Sequence, residues 1–387
     1  FDLLLGLDAL KKFKLIQDEK LNIFQRTPEG EMEQVSKPIN VKTRPEIIAN
    51  INEYSEIDRW GENLSHLTPD KRDKIHKMLK EHKRAFAVNK FDVGVVKNQE
   101  ARIRLTDYHY VSKKPYRCSI PDQREIDSQI EKLIDAGLIE ESNSPFAAPV
   151  TLAFKKEDGR RSRLCIDFRE LNKLVVPEAQ PFPRIEDIMQ RAVNCRYFST
   201  LDINSAFWSI PISKRDREKT AFVTKNGHYQ WVCLPFGLKV SPAIFQRILS
   251  NAIRRHGLQH FCINYIDDIL ITSKSFEEHT QHLEKLLRAM EEEGFKLKFS
   301  KCNFAKTSVK YLGHVIEENG VRPAKDNLKA IRDFPRPKNR KNVRQLLGKI
   351  NFYYKYIENA SETLEPLHNL LRKTVKFCWT DECEKTF

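Results

Sequence analysis

Between His260 and Thr272 the chain reads H-F-C-I-N-Y-I-D-D-I-L-I-T. Apolar residues alternate at Phe261, Ile263 and Tyr265, and an unbroken apolar run, Ile269 to Ile271, follows two adjacent aspartates. This pattern predicts a strand, a two-residue tip and a returning strand. Further strands are expected at 148–154 and 163–168, joined by K-K-E-D-G-R-R-S with its Asp158-Gly159 hairpin signal, and at 197–203. Helices are marked by apolar spacing and end signals. Pro121-Asp122 leads into Ile126, Ile130, Leu133, Ile134 and Leu138, with Gly137 as the stop. Ser241-Pro242 reads as an N-cap and first turn ahead of Ile244, Phe245, Ile248, Leu249 and Ile253, closed by Arg254, Arg255, His256 and Gly257. Ser275 and Glu278 form a capping box for a helix through Leu283, Leu286, Leu287 and Met290 to Gly294. Strands with a turn at Asn319-Gly320 are expected over 296–321, then helices broken at 335–339.

The first hundred residues are less regular. Residues 1–15 open on an apolar strand and read as the tail of a domain lying upstream. From residue 16 to about 100 the chain is polar and interrupted by Pro28, Pro38, Pro45 and Pro69. One helix is expected there, from Thr68-Pro69 through Ile75, Met78 and Leu79 to Phe86, and the rest reads as linker. There is no internal repeat.

With 40% hydrophobic and 31% charged residues over 387 positions, the composition is that of a globular protein with ample core. Lysine and arginine number 67 against 53 acidic residues, a net charge of +14. That sign and size point to a polyanionic partner, nucleic acid or an anionic membrane surface. No apolar stretch is long enough to span a bilayer and no secretory signal opens the chain, so an intracellular setting, a cytoplasmic particle or the nucleus, is expected. The eight cysteines contain no C-x-x-C pair and read as reduced, mostly buried thiols. His279 and His282 read as a solvated helix face.

Aspartate is common in turns because it satisfies nearby backbone N–H groups, so the hairpin alone does not identify a metal site. A third carboxylate, Asp202, ends the strand F-S-T-L-D about 65 residues earlier. Three strand-borne carboxylates, Asp202, Asp267 and Asp268, suit Mg²⁺, which keeps several waters and takes other ligands from substrate phosphates. Two such ions, roughly 3.5–4 Å apart, would stabilise the attacking and leaving oxygens of a phosphoryl displacement.

Asp202-Ile-Asn-Ser-Ala-Phe, Leu234-Pro-Phe-Gly-Leu-Lys-Val-Ser-Pro-Ala-Ile-Phe-Gln and Tyr265-Ile-Asp-Asp resemble, in order and spacing, the motifs of retroelement reverse transcriptases, above all Gypsy-type long-terminal-repeat retrotransposon Pol polyproteins. The resemblance implies an α+β right-hand polymerase fold, with an antiparallel palm sheet carrying the carboxylates and a helical thumb. It implies fingers and palm at 101–320 and thumb at 321–376. Residues 1–18 would be the end of a retropepsin-like protease, 19–100 a partly helical linker and 377–387 the lead-in to an RNase H domain. Protease, RNase H and integrase domains would be fused in the full polyprotein. The implied activity is RNA-directed DNA polymerisation with two Mg²⁺ ions, or Mn²⁺ in their place. Its partners would be an RNA template, a DNA primer or RNA–DNA duplex, and dNTPs, with no membrane.

Position by position, the resemblance makes Asp202 and Asp267 metal ligands and Asp268 the third catalytic carboxylate. Lys156 and Arg163 match cations that grip the triphosphate, with Ser205 and Ala206 offering backbone N–H groups. Phe207 matches an aromatic that excludes a 2′-OH, the alternative being a core aromatic. Phe236 stands where retroviral relatives carry glutamine. Lys301 aligns with a lysine that protonates the leaving pyrophosphate, although Lys296, Lys298 and Lys306 lie close by. Asp167 and Arg169 fall in a template-contacting motif, Tyr265 in the catalytic hairpin, and Tyr311, Leu312 and Gly313 in a primer-gripping turn.

In the C-terminal helix, Val343, Leu346, Leu347, Ile350, Tyr354 and Ile357 form a core stripe, while Arg344, Gly348 and Phe352 form another face. Glycine inside a helix costs about 1 kcal/mol relative to alanine, so it needs a reason. Close approach of a nucleic-acid backbone is one and tight helix packing is the other. Arg336, Lys338, Arg340 and Lys341 would add phosphate contacts. Two rival readings are a catalytically inactive nucleic-acid-binding transposon remnant and a metal nuclease. The intact carboxylates argue against the first, and the nucleotide-gripping motifs around them against the second.

Overall fold

The computed structural model describes residues 63–107, 109–154 and 162–387, together with three strands between residues 15 and 36. Those strands, β1 (Leu15–Gln17), β2 (Ile23–Arg26) and β3 (Met32–Ser36), form an antiparallel sheet in the order β1-β2-β3. Two of them fall in the stretch read from sequence as linker. Strands of three to five residues carry too little alternation to stand out from polar coil. Residues 1–14 lie outside the described residues.

The region after residue 63 is not linker either. Helix α1 (Pro69–Glu81), with proline in its first turn, buries Ile75, Met78 and Leu79. Beyond it the chain lays Ala85, Phe86, Val93, Val96, Ala101 and Ile103 into the main core. It does so through single bridges, Phe86 to Leu297, Gly94 to Phe295 and Ala101 to Ile212. Apolar residues used one at a time leave no periodicity to read.

Helix α2 (Ile120–Asp135) is capped by Ser119, whose hydroxyl accepts from the Asp122 N–H, and Gly137 follows its end at φ +65°. A five-stranded sheet comes next in space, ordered β4-β9-β8-β5-β6. It comprises β4 (Ile139–Glu141), β5 (Ala148–Phe154), β6 (Ser162–Ile166), β8 (Phe222–Val223) and β9 (His228–Trp231). Helices α3 (Arg169–Leu174) and α4 (Ile185–Ala192) lead to the central sheet.

That central sheet is antiparallel throughout and ordered β10-β11-β7-β12: Cys262–Tyr265, Asp268–Ser273, Tyr197–Asp202 and Asn303–Lys306. Both of its faces are covered. Leu201, Ile269 and Ile271 point into the main core with α5 (Ser241–Arg255) and α6 (Phe276–Glu293). Phe198, Ile263 and Leu270 point the other way, against α4 and the sheet of β13 (Ser308–Tyr311), β14 (His314–Glu317) and β15 (Gly320–Pro323). Burial on both faces explains why 269–271 reads as a continuous apolar run.

The capping box of α6 forms as expected. The Ser275 hydroxyl accepts from the Glu278 N–H at 3.1 Å, and the Glu278 carboxylate accepts from the Lys274 N–H at 2.7 Å. The N-cap expected at Ser241 does not form. Ser241 is the first residue of α5, and its buried hydroxyl donates to the Pro235 carbonyl at 2.8 Å, folding the preceding loop back onto the helix. His279 is also not on a solvated face, being fully buried.

At the C-terminus, α7 (Lys325–Arg332), α8 (Arg340–Asn351), α9 (Ala360–Asn369) and α10 (Asp381–Thr386) follow. Val343, Leu346 and Leu347 of α8 pack with Leu364, Leu367 and Cys383. The last eleven residues therefore belong to this helical core and are not a bare lead-in. Helix α8 ends at Asn351, earlier than the sequence stripe implies, so Tyr353 turns inward and Tyr354 outward. Among the described residues no disulfide forms, and Cys195, Cys233, Cys262, Cys302 and Cys383 are buried. No described helix is long and apolar enough to cross a membrane.

Candidate active site

Asp202 closes β7, and its partner across the ladder is Asp268, the first residue of β11. Asp268 also stands opposite Tyr265, so the hairpin tip is Ile266-Asp267, one position earlier than the apolar pattern implies. The shift follows from Ile266, which adopts φ +53°. A β-branched residue pays for that conformation sterically and needs an external hold. Gln246, buried in α5, supplies it: its side-chain oxygen accepts the Ile266 N–H at 2.6 Å, and its amide donates to the Asn264 carbonyl at 3.3 Å. The Ile203 N–H donates to the Asp267 carbonyl at 3.2 Å and ties the tip to the end of β7.

The three carboxylates thus share one sheet edge. Burial pushes Asp268 up to about 6, with the charges of Asp267 and Asp202 adding to the effect. Asp267 is raised in the same way, by burial first and then by Asp202. Lys301 opposes both shifts, and its ammonium sits 2.7 Å from Asp202 Oδ2. Of the neighbouring lysines, Lys296 is paired with Asp92 at 2.7 Å, so geometry singles out Lys301 at the carboxylates. A crowd of acidic oxygens with one lysine against it favours an added cation. Among the described residues no three acidic, thiol or imidazole side chains converge tightly enough to cage an ion alone. An open set of hard oxygen donors nevertheless fits Mg²⁺, which retains waters and borrows phosphate ligands.

Directly after β7, Ser205 takes φ +47° and a short 3₁₀ turn, Ala206–Ser209, follows. No described residue accepts from the backbone N–H groups of Ser205, Ala206 or Phe207. Phe207 is half-buried, with its ring 4.9 Å from Phe236 and 5.7 Å from Phe245, and Phe236 is 52% exposed. Phe207 therefore lies between the core and an open apolar platform. Arg163 lies exposed on β6, opposite Ala153. Lys156 and the Asp158-Gly159 turn lie outside the described residues.

Asp167 and Arg169 engage each other. The guanidinium donates to both carboxylate oxygens at 2.8 and 2.7 Å, and Tyr116 adds a 2.6 Å bond. These bonds, Arg169 foremost, hold the Asp167 carboxyl well below the usual carboxylate range, while the Arg169 side chain stays largely exposed. Tyr311 is buried and donates to the Asp268 carbonyl at 3.0 Å, so it braces the carboxylate strand from beneath. Leu312 at φ +45° and Gly313 at φ +80° make the turn after it. The Gly313 carbonyl accepts from Tyr353 Oη at 3.1 Å, which links this turn to the helical region. Tyr265 is half-buried beside Phe182, 6.1 Å between rings. Arg344, Gly348 and Phe352 are all exposed, and a Cβ built on Gly348 would meet nothing within 4 Å. Helix packing does not explain that glycine.

A family profile described as "Reverse transcriptase (RNA-dependent DNA polymerase)" matches residues 154–316. The Pol polyprotein of transposon opus from Drosophila melanogaster is 31% identical over 376 residues, 96% of this chain and 36% of that protein. The polyprotein of transposon 297 from the same fly is 29% identical over 97% of this chain and 36% of its own length. The Tf2-3 polyprotein of Schizosaccharomyces pombe is 33% identical over 74% of this chain and 21% of its own length. This chain belongs to the reverse transcriptase region of Gypsy-type retrotransposon Pol polyproteins. It spans about a third of the length of the fly relatives. The α+β fold of this reverse transcriptase region is shared with the foamy viral protease-reverse transcriptase. The form solved with double-stranded DNA matches at TM-score 0.79 and 20% identity over 98% of this chain and 71% of that one. The form with RNA/DNA hybrid matches at 0.74 and 22%, over 93% and 47%.

The sequence alone gives no individual role to several residues that shape this candidate site. Gln246 directly follows Phe245 on an otherwise apolar face. Asn204 is 3% exposed, and its amide donates to the carbonyls of Asn89 and Asp92 at 3.0 Å. Asn172 pins the 234–240 loop, donating to the Gly237 carbonyl and accepting from the Lys239 N–H, both at 2.8 Å. A buried amide amid apolar neighbours is the one clue that could have flagged Gln246.

Proposed function

We propose that the chain is an RNA-directed DNA polymerase that adds dNTPs to a primer 3′-OH on an RNA template. The observation that carries this reading is the cross-strand pairing of Asp202 with Asp268, with Asp267 on the braced tip beside them. In this reading the β10-β11-β7-β12 sheet is the palm, α2 and the five-stranded sheet are the fingers, and α7 to α10 the thumb. Asp202 and Asp267, with Asp268 beside them, would hold divalent ions, Mg²⁺ or Mn²⁺, which supply charge stabilisation and a more acidic 3′-OH when bound.

The chain's own residues supply placement. Gln246 and Tyr311 fix the carboxylate hairpin from two sides, so its geometry is set before substrate arrives. Lys301 holds Asp202 and carries a proton within reach of the site where pyrophosphate would leave. The N–H groups after Asp202 can receive phosphate oxygens, with Arg163 and Lys156 as cations on the facing hairpin. Phe207, backed by Phe236 and Phe245, would occupy the space of a ribose 2′-OH. The exposed edge of Arg169 is placed for template, and the Leu312-Gly313 turn for the primer end. The open face of Arg344, Gly348 and Phe352 fits the shallow minor groove of a hybrid duplex.

The relatives solved with RNA/DNA hybrid and with double-stranded DNA support a duplex partner for this chain too. Residues 1–18 are proposed as a protease remnant and the final residues as the approach to RNase H, within a polyprotein that also carries integrase. Extension of a DNA primer on an RNA template with Mg²⁺ and dNTPs tests the proposal. Duplex binding without any extension would point instead to an inactive nucleic-acid-binding remnant.

A further inference from the structure

The side chains that follow Asp202 reach back to a segment that no polymerase motif includes. The Ser205 hydroxyl donates to the Lys90 carbonyl at 3.2 Å, and the Asn204 amide donates to the same carbonyl at 3.3 Å. Lys90 is thereby fastened to the turn that leaves the carboxylate strand. Its ammonium lies 5.3 Å from the Phe91 ring centre and 5.5 Å from that of Trp208. Trp208 lies 5.8 Å from Phe236, which in turn lies 4.9 Å from Phe207. The ammonium therefore stands at the far end of the aromatic platform that begins at Phe207, and its side chain remains open to solvent.

The surroundings of Lys90 are cationic. Arg163 from β6, Lys132 from α2 and Lys298 from beyond α6 all stand close enough for their charges to bear on it. Among the described residues none of these four cations forms a close ion pair, although the Glu125 carboxylate bears on Lys132. Their neighbours do form such pairs: Lys296 is paired with Asp92, Lys301 with Asp202 and Arg169 with Asp167. Cations from separate parts of the chain that lack close ion pairs repel one another unless a compact polyanion joins them.

We propose that Lys90 grips the outer phosphates of an incoming nucleoside triphosphate, acting with Arg163 of β6. This rests on the polymerase reading above, and it adds a binding residue from a region outside the polymerase motifs. A triphosphate fits better than a duplex because the Lys90 ammonium stands at the end of the Phe207 platform, on the turn that leaves Asp202, with three further cations bearing on it, whereas duplex phosphates are strung along a line.

Two measurements on the wild-type chain, Lys90→Ala and Lys90→Arg decide it. The first is titration with inorganic tripolyphosphate, followed by tryptophan fluorescence, since Trp208 lies under the ammonium. Lys90→Ala should bind about tenfold more weakly, and Lys90→Arg close to wild type. The second is single-nucleotide incorporation on a primed template. KM for dNTP should rise about tenfold in Lys90→Ala, with kcat within about twofold and duplex affinity unchanged. Equal tripolyphosphate affinity in wild type and Lys90→Ala would overturn the proposal. So would a defect confined to duplex affinity and its salt dependence, which would place Lys90 on template. If the wild-type chain extends no primer, the polymerase reading fails, while the tripolyphosphate titration still decides Lys90.

Discussion

The Ile266 N–H and the Gln246 side-chain oxygen are 2.6 Å apart, and that bond holds the tip of the carboxylate hairpin in a left-handed conformation. Gln246 is 2% exposed and Ile266 half-buried, so truncating the glutamine leaves a half-buried N–H without its partner. Such a loss costs about 1–3 kcal/mol. Gln246→Ala should therefore lower the rate of nucleotide addition by roughly 5- to 100-fold, with duplex affinity unchanged. Single-turnover kinetics beside a duplex-binding titration checks this. A variant that keeps the wild-type rate would show that the hairpin holds its shape unaided.

Gly348 separates stability from binding. Its Cβ position is open, so Gly348→Ala should stabilise the chain by about 0.5–1 kcal/mol through helix propensity. The same methyl would stand on the face of Arg344 and Phe352, where the duplex is proposed to lie, and should weaken template–primer binding several-fold. Thermal unfolding and a binding titration on one preparation give both numbers. Higher stability with unchanged affinity would remove this face from the interface.

Acid should destabilise the chain through His279. Ser199 Oγ accepts the Ala305 N–H at 2.9 Å and is hydrogen-bonded to His279 Nε2 at 2.7 Å. Ser273 Oγ is hydrogen-bonded to both His279 Nδ1 and His282 Nδ1 at 2.9 Å. Burial, with His282 adding, disfavours charged His279 and pushes its pKa down to about 3 against some relief from Glu278. With an ordinary value near 6.5 in the unfolded chain, the contribution is complete above pH 6.5 and is lost as pH falls towards 3. Each pH unit well inside that window costs about 1.4 kcal/mol. Urea unfolding at pH 7 and pH 5 should show a fall of roughly 2 kcal/mol from this residue, and His279→Gln should flatten the dependence. His66, His282 and His314 are shifted in the same direction and add to the slope that remains, while the raised carboxyls of Asp267 and Asp268 oppose it. An equal slope in wild type and variant would contradict the assignment.

What the sequence made legible was local. The α6 capping box, the glycine stop after α2 and the alternating strands depend on neighbours a few residues away, and they appear where the pattern puts them. The hairpin tip shifted by one position because its register is set by Gln246, a turn of helix remote from it. The part of 63–100 outside the one expected helix reads as linker because its apolar side chains are buried singly, against partners such as Leu297 and Phe295. His279 was assigned to solvent because Ser199 and Ser273, the residues that satisfy it, lie on other elements. The carboxylates could be named from motif order alone. Lys301 could not be told from its neighbours until the Asp202 contact separated it from Lys296, and Lys90 lay outside every motif.

The most direct test of the central claim is Asp202→Asn, assayed for single-turnover addition of a dNTP to a DNA primer on an RNA template with saturating Mg²⁺. The substitution keeps size and removes the charge that faces Asp268 and Lys301. Loss of a metal-holding carboxylate should cost several kcal/mol at the transition state, more than about a hundredfold in rate, with duplex affinity near wild type. An Asp202→Asn chain that still extends primers at close to the wild-type rate would contradict the assignment of this sheet edge as the catalytic centre.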